Sequence, residues 1–161
     1  MSFHATHERS ATMTEDRGTL LDSLNEDLAG ELQAVTMYLQ YSALLHGAHR
    51  KELRALFQAE IPDELRHAQL LADKISVWGG IPTTIAREVP KAANAQQMLR
   101  NILDAESQAV ADYTERAQQA DDAGEIGLKV GLENIIVDET KHRDEVDQIL
   151  KGYSDHDSGR D

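Results

Sequence analysis

The chain has 161 residues, no cysteine, and 29 acidic against 16 basic side chains, a net charge of −13. The length suits one domain, and the missing thiols exclude disulfides, iron–sulfur clusters, zinc-thiolate sites and cysteine nucleophiles. The acidic balance argues against nucleic-acid binding, which rests on Lys and Arg, and favours attraction of cations.

Residues 1–18 are polar and mixed in charge, with no apolar core ahead of a cleavage site. They read as a flexible tail in which His4 and His7 are solvated. No segment approaches the roughly 20 apolar residues of a membrane span, so a cytoplasmic location is expected.

From Thr19 to Leu45 the periodicity is helical. Leu21, Leu24, Leu28, Glu31, Val35, Tyr38 and Ser42 step by three and four and share a face. Glu31 therefore sits inside an apolar stripe, where a lone carboxylate is costly unless paired or metal-bound. Gly30 beside it weakens the helix by about 1 kcal/mol relative to Ala. Tyr38 lies two turns on, where core packing and a redox role both fit. His46-Gly47-Ala48-His49 makes a short link, which requires the next helix to run antiparallel; the two histidines read as loop and cap residues.

The second helix, from His49 to Trp78, puts Phe57, Glu60, Glu64, His67, Leu71, Ile75 and Trp78 on one face. Pro62 removes a backbone hydrogen bond there and predicts a kink. Glu64 and His67, three apart, lie on the same side about one turn apart, with Glu60 and Asp63 making a dense acidic patch. Gly79-Gly80-Ile81-Pro82 ends the helix, and a segment of about 15 residues follows to Ala93. That length is unusual within a compact domain and predicts a crossover from one end of a bundle to the other.

Asn94 is a candidate N-cap for a third helix reaching Ala120, with Leu99, Ile102, Glu106, Tyr113 and Ala117 inward. Glu106 is a second carboxylate set in an apolar stripe. After the turn at Asp121–Gly124, a fourth helix from Glu125 to Leu150 aligns Leu128, Leu132, Ile135, Glu139, His142, Val146 and Ile149. A polar tail is expected over 152–161, leaving 19–151 as the folded domain. Strand signals are lacking. Four helices, two hairpins and one long connection predict an all-α four-helix bundle.

Two Glu-x-x-His pairs, Glu64/His67 and Glu139/His142, each follow a stripe-embedded Glu, Glu31 or Glu106, by 33 residues. All six fall near the middle of their helices, so the bundle brings four carboxylates and two imidazoles to one depth. Two divalent cations balance four carboxylates, and oxygen and imidazole donors without sulfur suit iron, manganese or zinc. Glu64 and Glu139 are best placed to bridge the two ions.

At these residues the chain resembles the ferritin-like superfamily, and most closely bacterioferritin. The ligand pattern is the di-iron bundle arrangement described for that superfamily, and Leu24-Asn25, Glu31-Leu32, Ala34, Asp63-Glu64 and Arg66-His67-Ala68 match as well. The resemblance implies that Glu31 and His67 hold one iron, Glu106 and His142 the other, and that Glu64 and Glu139 bridge. It also implies a redox-active Tyr38. The implied activity is a ferroxidase, oxidising Fe(II) with O2 or H2O2 and storing ferric mineral in a homo-oligomeric shell of 12 or 24 subunits.

Three positions depart from that pattern. The Met that ligates haem in bacterioferritins is Leu65 here, so haem lacks its usual ligand. An inner-surface His of the family is Ala59. Only about ten polar residues follow Gly152 in place of a fifth helix. Two other readings are a rubrerythrin-like di-metal peroxidase without storage, for which this chain lacks a Cys-ligated centre, and a non-catalytic bundle that uses metal for stability.

Overall fold

The computed structural model describes residues 3–157, with side chains over 18–153. Four helices make up the regular structure of the described residues: α1 (Phe3–Leu44), α2 (Arg50–Val77), α3 (Ala95–Asp122) and α4 (Ile126–Asp157). No strand occurs among them, as the periodicity predicts. No helix is long and apolar enough to cross a membrane among these residues.

The helix ends follow local chemistry. Asn94 adopts an extended conformation, and its side chain accepts from the Gln97 N–H at 2.8 Å, capping α3. Helix α2 stops at Gly79, whose φ of 82° is open to glycine at little cost. There Gly80 N–H donates to Ile75 O and Gly79 N–H to Ser76 O, both at 2.9 Å, the paired bonds of a Schellman end. His49 occupies the N-cap position of α2 but makes no side-chain capping bond. Helix α2 runs on through Pro62.

Two boundaries differ from expectation. Helix α1 starts at Phe3, upstream of Thr19, and α4 continues past Gly152 to Asp157. An apolar stripe marks where a helix is covered by neighbours, not where it stops. The polar flanks hold no Pro, and single glycines such as Gly18 and Gly152 only weaken a helix. The side chains of His4 and His7, and residues 1–2 and 158–161, lie outside the described residues.

Helix α1 packs against α2 and α3, and α4 packs against α3 and α2, leaving α1/α4 and α2/α3 as the diagonals. The crossover travels beside α1 in the same direction. Thr83 N–H donates to Asn25 Oδ1 at 2.8 Å, Arg87 N–H to Ala29 O at 3.0 Å, and Tyr41 Oη to Pro90 O at 2.5 Å. Gln33 also donates to Glu88 O. An extended chain advances about 3.3 Å per residue against 1.5 Å in a helix, so the eight crossover residues from Thr83 to Pro90 keep pace with the seventeen of α1 from Asn25 to Tyr41. The crossover thus delivers α3 to the opposite end of the bundle, parallel to α2.

Apolar side chains form two clusters. One gathers Leu24, Leu28, Leu71, Ile75, Leu128 and Leu132, and the other Met37, Tyr38, Phe57, Leu99, Ile102 and Val146. Between them lies a layer of buried charge.

Candidate metal centre

That layer contains all six residues singled out by spacing. Glu31, Glu64, His67, Glu106, Glu139 and His142 expose 7% or less of their surface, so none faces solvent. Each comes from mid-helix, α1 giving Glu31, α3 giving Glu106, and α2 and α4 giving a Glu-x-x-His pair each.

The donors divide into two overlapping sets. Ligand atoms of Glu31, Glu64, His67 and Glu139 lie within 4.8 Å of one another, as do those of Glu64, Glu106, Glu139 and His142. Glu64 and Glu139 belong to both because each carboxylate turns one oxygen to either side. His67 Nδ1 lies 2.9 Å from Glu139 Oε1 and 3.8 Å from both Glu64 Oε2 and Glu31 Oε2. His142 Nδ1 lies 3.2 Å from Glu139 Oε2, 3.6 Å from Glu64 Oε1 and 4.0 Å from Glu106 Oε2.

The residues fit a pair of cations. Glu31 Oε2, Glu64 Oε1, His67 Nδ1 and Glu139 Oε1 are buried without a hydrogen-bond partner. His67 Nδ1 and Glu139 Oε1 are close but misaligned for a hydrogen bond, so they converge on a shared space rather than on each other. An unsatisfied buried donor or acceptor costs about 1–3 kcal/mol, more when charged. Four such atoms in one layer are tolerable where something positive sits among them.

Electrostatics agree. Burial, then the neighbouring carboxylates, drive Glu31 and Glu106 well above the usual carboxylate range, and burial raises Glu64. Burial also pushes Glu139 up, but its hydrogen bond with His142 and the close approach of the His67 imidazole outweigh burial and hold it down to about 2. Burial opposes charge on both imidazoles, yet Glu139 and the other carboxylates around them keep His67 and His142 raised. Without cations the layer therefore holds protons in their place.

A second set of groups surrounds the six. Tyr38 Oη donates to Glu106 Oε1 at 2.5 Å, and Tyr113 Oη donates to Glu31 Oε1. Burial first, then the glutamates, raise both phenols well above their ordinary value. The outward nitrogens of the imidazoles face acids, the arrangement that orients metal-bound histidines. His67 Nε2 lies 3.4 Å from Asp138, and His142 Nε2 lies 2.8 Å from Glu60 and 3.9 Å from Asp63. Arg66 spans the two aspartates, 2.6 Å from Asp63 and 3.3 Å from Asp138. Deeper in α1, Asp27 pairs with Arg116 at 2.9 Å, and burial still lifts its carboxyl to about 6.

The spacing places Tyr38 correctly in this layer but passes over the roles of Tyr113 and Asp138. A signal existed: Glu31/Glu106, Tyr38/Tyr113, Asp63/Asp138, Glu64/Glu139 and His67/His142 are all 75 residues apart. His46 and His49 are exposed and lie in neither donor set. Leu65, which stands where bacterioferritins carry the haem-ligating Met, is half exposed on α2.

Comparisons with known proteins follow the same lines. The family profile described as "Ferritin-like domain" matches residues 21–154. A bacterioferritin of Mycobacterium bovis is 29% identical over 136 residues, 82% of this chain and 84% of its own. A ferritin-like, diiron-carboxylate protein from Bacillus anthracis superposes with a TM-score of 0.83 at 41% identity, covering 84% of this chain and 97% of the other. Dps from Thermosynechococcus elongatus superposes with a TM-score of 0.80 over 86% and 94% of the two chains, but at 20% identity this speaks for the fold alone.

Proposed function

The chain belongs to the ferritin-like family, and on that premise we propose that it is a ferroxidase that oxidises ferrous iron at the centre between its helices and stores the ferric product. One observation carries the reading. Glu64 and Glu139 each offer one oxygen to either donor set, with Glu64 Oε1 and Glu139 Oε1 left without a hydrogen-bond partner. That arrangement serves two ions side by side. The iron named in the diiron-carboxylate neighbour and implied by the bacterioferritin name supports iron as the metal.

In this reading Glu31 and His67 hold one ion, Glu106 and His142 the other, and Glu64 and Glu139 join them. Ferrous ions are the substrate: two of them, one hydrogen peroxide and two protons give two ferric ions and two waters. With dioxygen as oxidant, the same two electrons and two protons give hydrogen peroxide. The protein's own share is positional. Tyr38 and Tyr113 hold Glu106 and Glu31 by one oxygen, leaving Oε2 of each turned inward. Burial raises Glu31 and Glu106 in the metal-free layer, so cations arriving there compete with protons for these carboxylates. The hydrogen bond of Tyr38 to a ligand carboxylate supports the redox-active role that the family resemblance implies for it.

Storage requires a homo-oligomeric shell, of 12 or 24 subunits in this superfamily, and a cytoplasmic setting suits both. The test is anaerobic addition of ferrous iron followed by O2 or H2O2, with iron counted per chain and assembly mass measured by light scattering. Oxidation continuing far beyond two irons per chain in a large assembly is the expected result. Arrest at two irons, with continued peroxide turnover in a dimer, replaces storage with peroxidase chemistry. Metal binding without oxidation leaves a purely stabilising role.

A further inference from the structure

The α1–α3 side of the centre is open. A cavity of about 80 Å³ leads inward between the two helices, past Gly30, Ala34, Ala105 and Ala109, to Glu31, Glu64 and Glu139. One water needs about 10–15 Å³ of such space, so the cavity takes several small molecules. It ends on atoms without partners: Glu31 Oε2, Glu64 Oε1 and Glu139 Oε1 are all buried and unpaired. Gly30, Ala34, Ala105 and Ala109 are small enough to keep the passage from filling.

Across the mouth lies Arg87, supplied by the crossover. Its guanidinium donates to Glu26 O of α1 at 2.9 Å and sits 3.6 Å from Asp112 Oδ2 of α3, so it spans both walls. The Arg87 backbone N–H is fixed to Ala29 O at 3.0 Å. Gly30 makes room for this: a Cβ there would come within 3.3 Å of the guanidinium. The glycine that weakens the middle of α1 thus admits the arginine. On the α2–α4 side of the centre, by contrast, Glu60, Asp63 and Asp138 face the imidazoles, with Arg66 as their one cationic partner among the described contacts.

We propose that the α1–α3 gap is the port through which small uncharged or anionic reactants reach the carboxylate centre, and that Arg87 is the residue that determines what passes. The inference rests on the reading of that centre as a site for two cations. Arg87 is the one cation lining the passage and offsets Asp112 beside it and Asp27 nearby, so it lowers the barrier that these acids set against anions, while neutral molecules of the size of a dioxygen or peroxide pass unopposed. Its hold is one carbonyl and one loose ion pair, and its side chain is 38% exposed, so it moves aside without unpacking the bundle.

The test uses the full chain loaded with cobalt(II), whose visible absorption reports both metal uptake and arrival of azide, followed in a stopped-flow instrument. Ala109→Leu plugs the passage, and Arg87→Glu reverses the charge at its mouth without touching the core. Both are expected to take up cobalt with unchanged affinity. Ala109→Leu slows azide association by about an order of magnitude, as when binding must wait for a conformational opening. Arg87→Glu slows it by about tenfold at low salt, the scale of electrostatic steering, and the deficit shrinks as salt screens the charge. Arg87→Lys stays close to the unmodified chain. Full cobalt uptake with unchanged azide rates in both variants overturns the port, and an effect of Ala109→Leu alone overturns the role of Arg87. Failure of the unmodified chain to bind cobalt overturns the reading of the centre, and the port with it.

Discussion

The α1–α2 half and the α3–α4 half carry the same groups at matching heights: a lone glutamate, a tyrosine, an aspartate and a Glu-x-x-His pair, each 75 residues from its counterpart. The tyrosines even cross over, each donating to the glutamate of the other half. The likeness fails one turn before Glu64. Glu60, 2.8 Å from His142, has buried Ile135 as its counterpart, so His67 has only Asp138, at 3.4 Å. Repetition builds a two-part centre; a single acid in one half then makes its two parts unequal.

Ligand loss tests the shared skeleton and has the largest expected effect. Glu64→Gln or Glu139→Gln should abolish tight ferrous binding in both parts, because those carboxylates serve both, whereas Glu31→Gln or Glu106→Gln should remove one ion of two. Anaerobic titration of ferrous iron per chain distinguishes the cases. Loss of both ions in Glu31→Gln would show that the two parts do not bind separately.

Next comes pH, which treats the halves together. Glu31, Glu64 and Glu106 have folded-state values above their unfolded ones, so the folded metal-free chain holds protons more tightly. Stability is then full below about pH 4.5 and declines as pH rises. The raised imidazoles add to the decline, since protonated histidine favours the fold below its unfolded value near 6.5 and this is lost at higher pH. Glu139, held to about 2, adds stability that is lost only in strong acid. Thermal melting of the metal-free chain should fall between pH 5 and 8, and metal should flatten or reverse that slope. A metal-free melting point that climbs over this range would contradict the buried, proton-holding layer.

Glu60→Gln addresses the inequality itself. Removing an outer partner of a metal-bound histidine costs about 10–100-fold in affinity, and the loss should fall on the ion beside His142 alone. Asp138→Asn should do less beside His67, its contact being longer; equal losses would erase the asymmetry. The smallest effects belong to Tyr38→Phe and Tyr113→Phe. Each removes one hydrogen bond to a buried glutamate, a loss of about 1 kcal/mol. Denaturation of the metal-free variants should give nearly equal values for the two, and a gap well above that figure would show unequal halves here as well.

Much of this molecule is legible in its residues, for a definable reason. Helices and the buried charged layer are both legible from one anomaly: carboxylates at Glu31, Glu106 and Glu139 interrupt apolar stripes whose period is unmistakable. Helix ends at Gly79 and Asn94 were readable because capping is local. The outer reaches of α1 and α4 were not, because a helix can continue through polar sequence without burying a stripe. The Asp27–Arg116 pair is not legible because pairing across helices leaves no mark on the periodicity of either one. Arg87 was invisible for a similar reason, its role depending on where an irregular crossover happens to lie against α1.

The charged layer divides the apolar interior in two, and this sets where the molecule opens. With no cations present, neither apolar cluster reaches across the middle, and the protons held there are poor substitutes for metal. Backbone amides flanking Glu64 and Glu139 should then trade hydrogen for deuterium sooner than those beside Leu71 or Leu132, giving the bundle a soft waist between two firm ends. Filling the centre should invert that order, turning the least protected level of the structure into its most protected one.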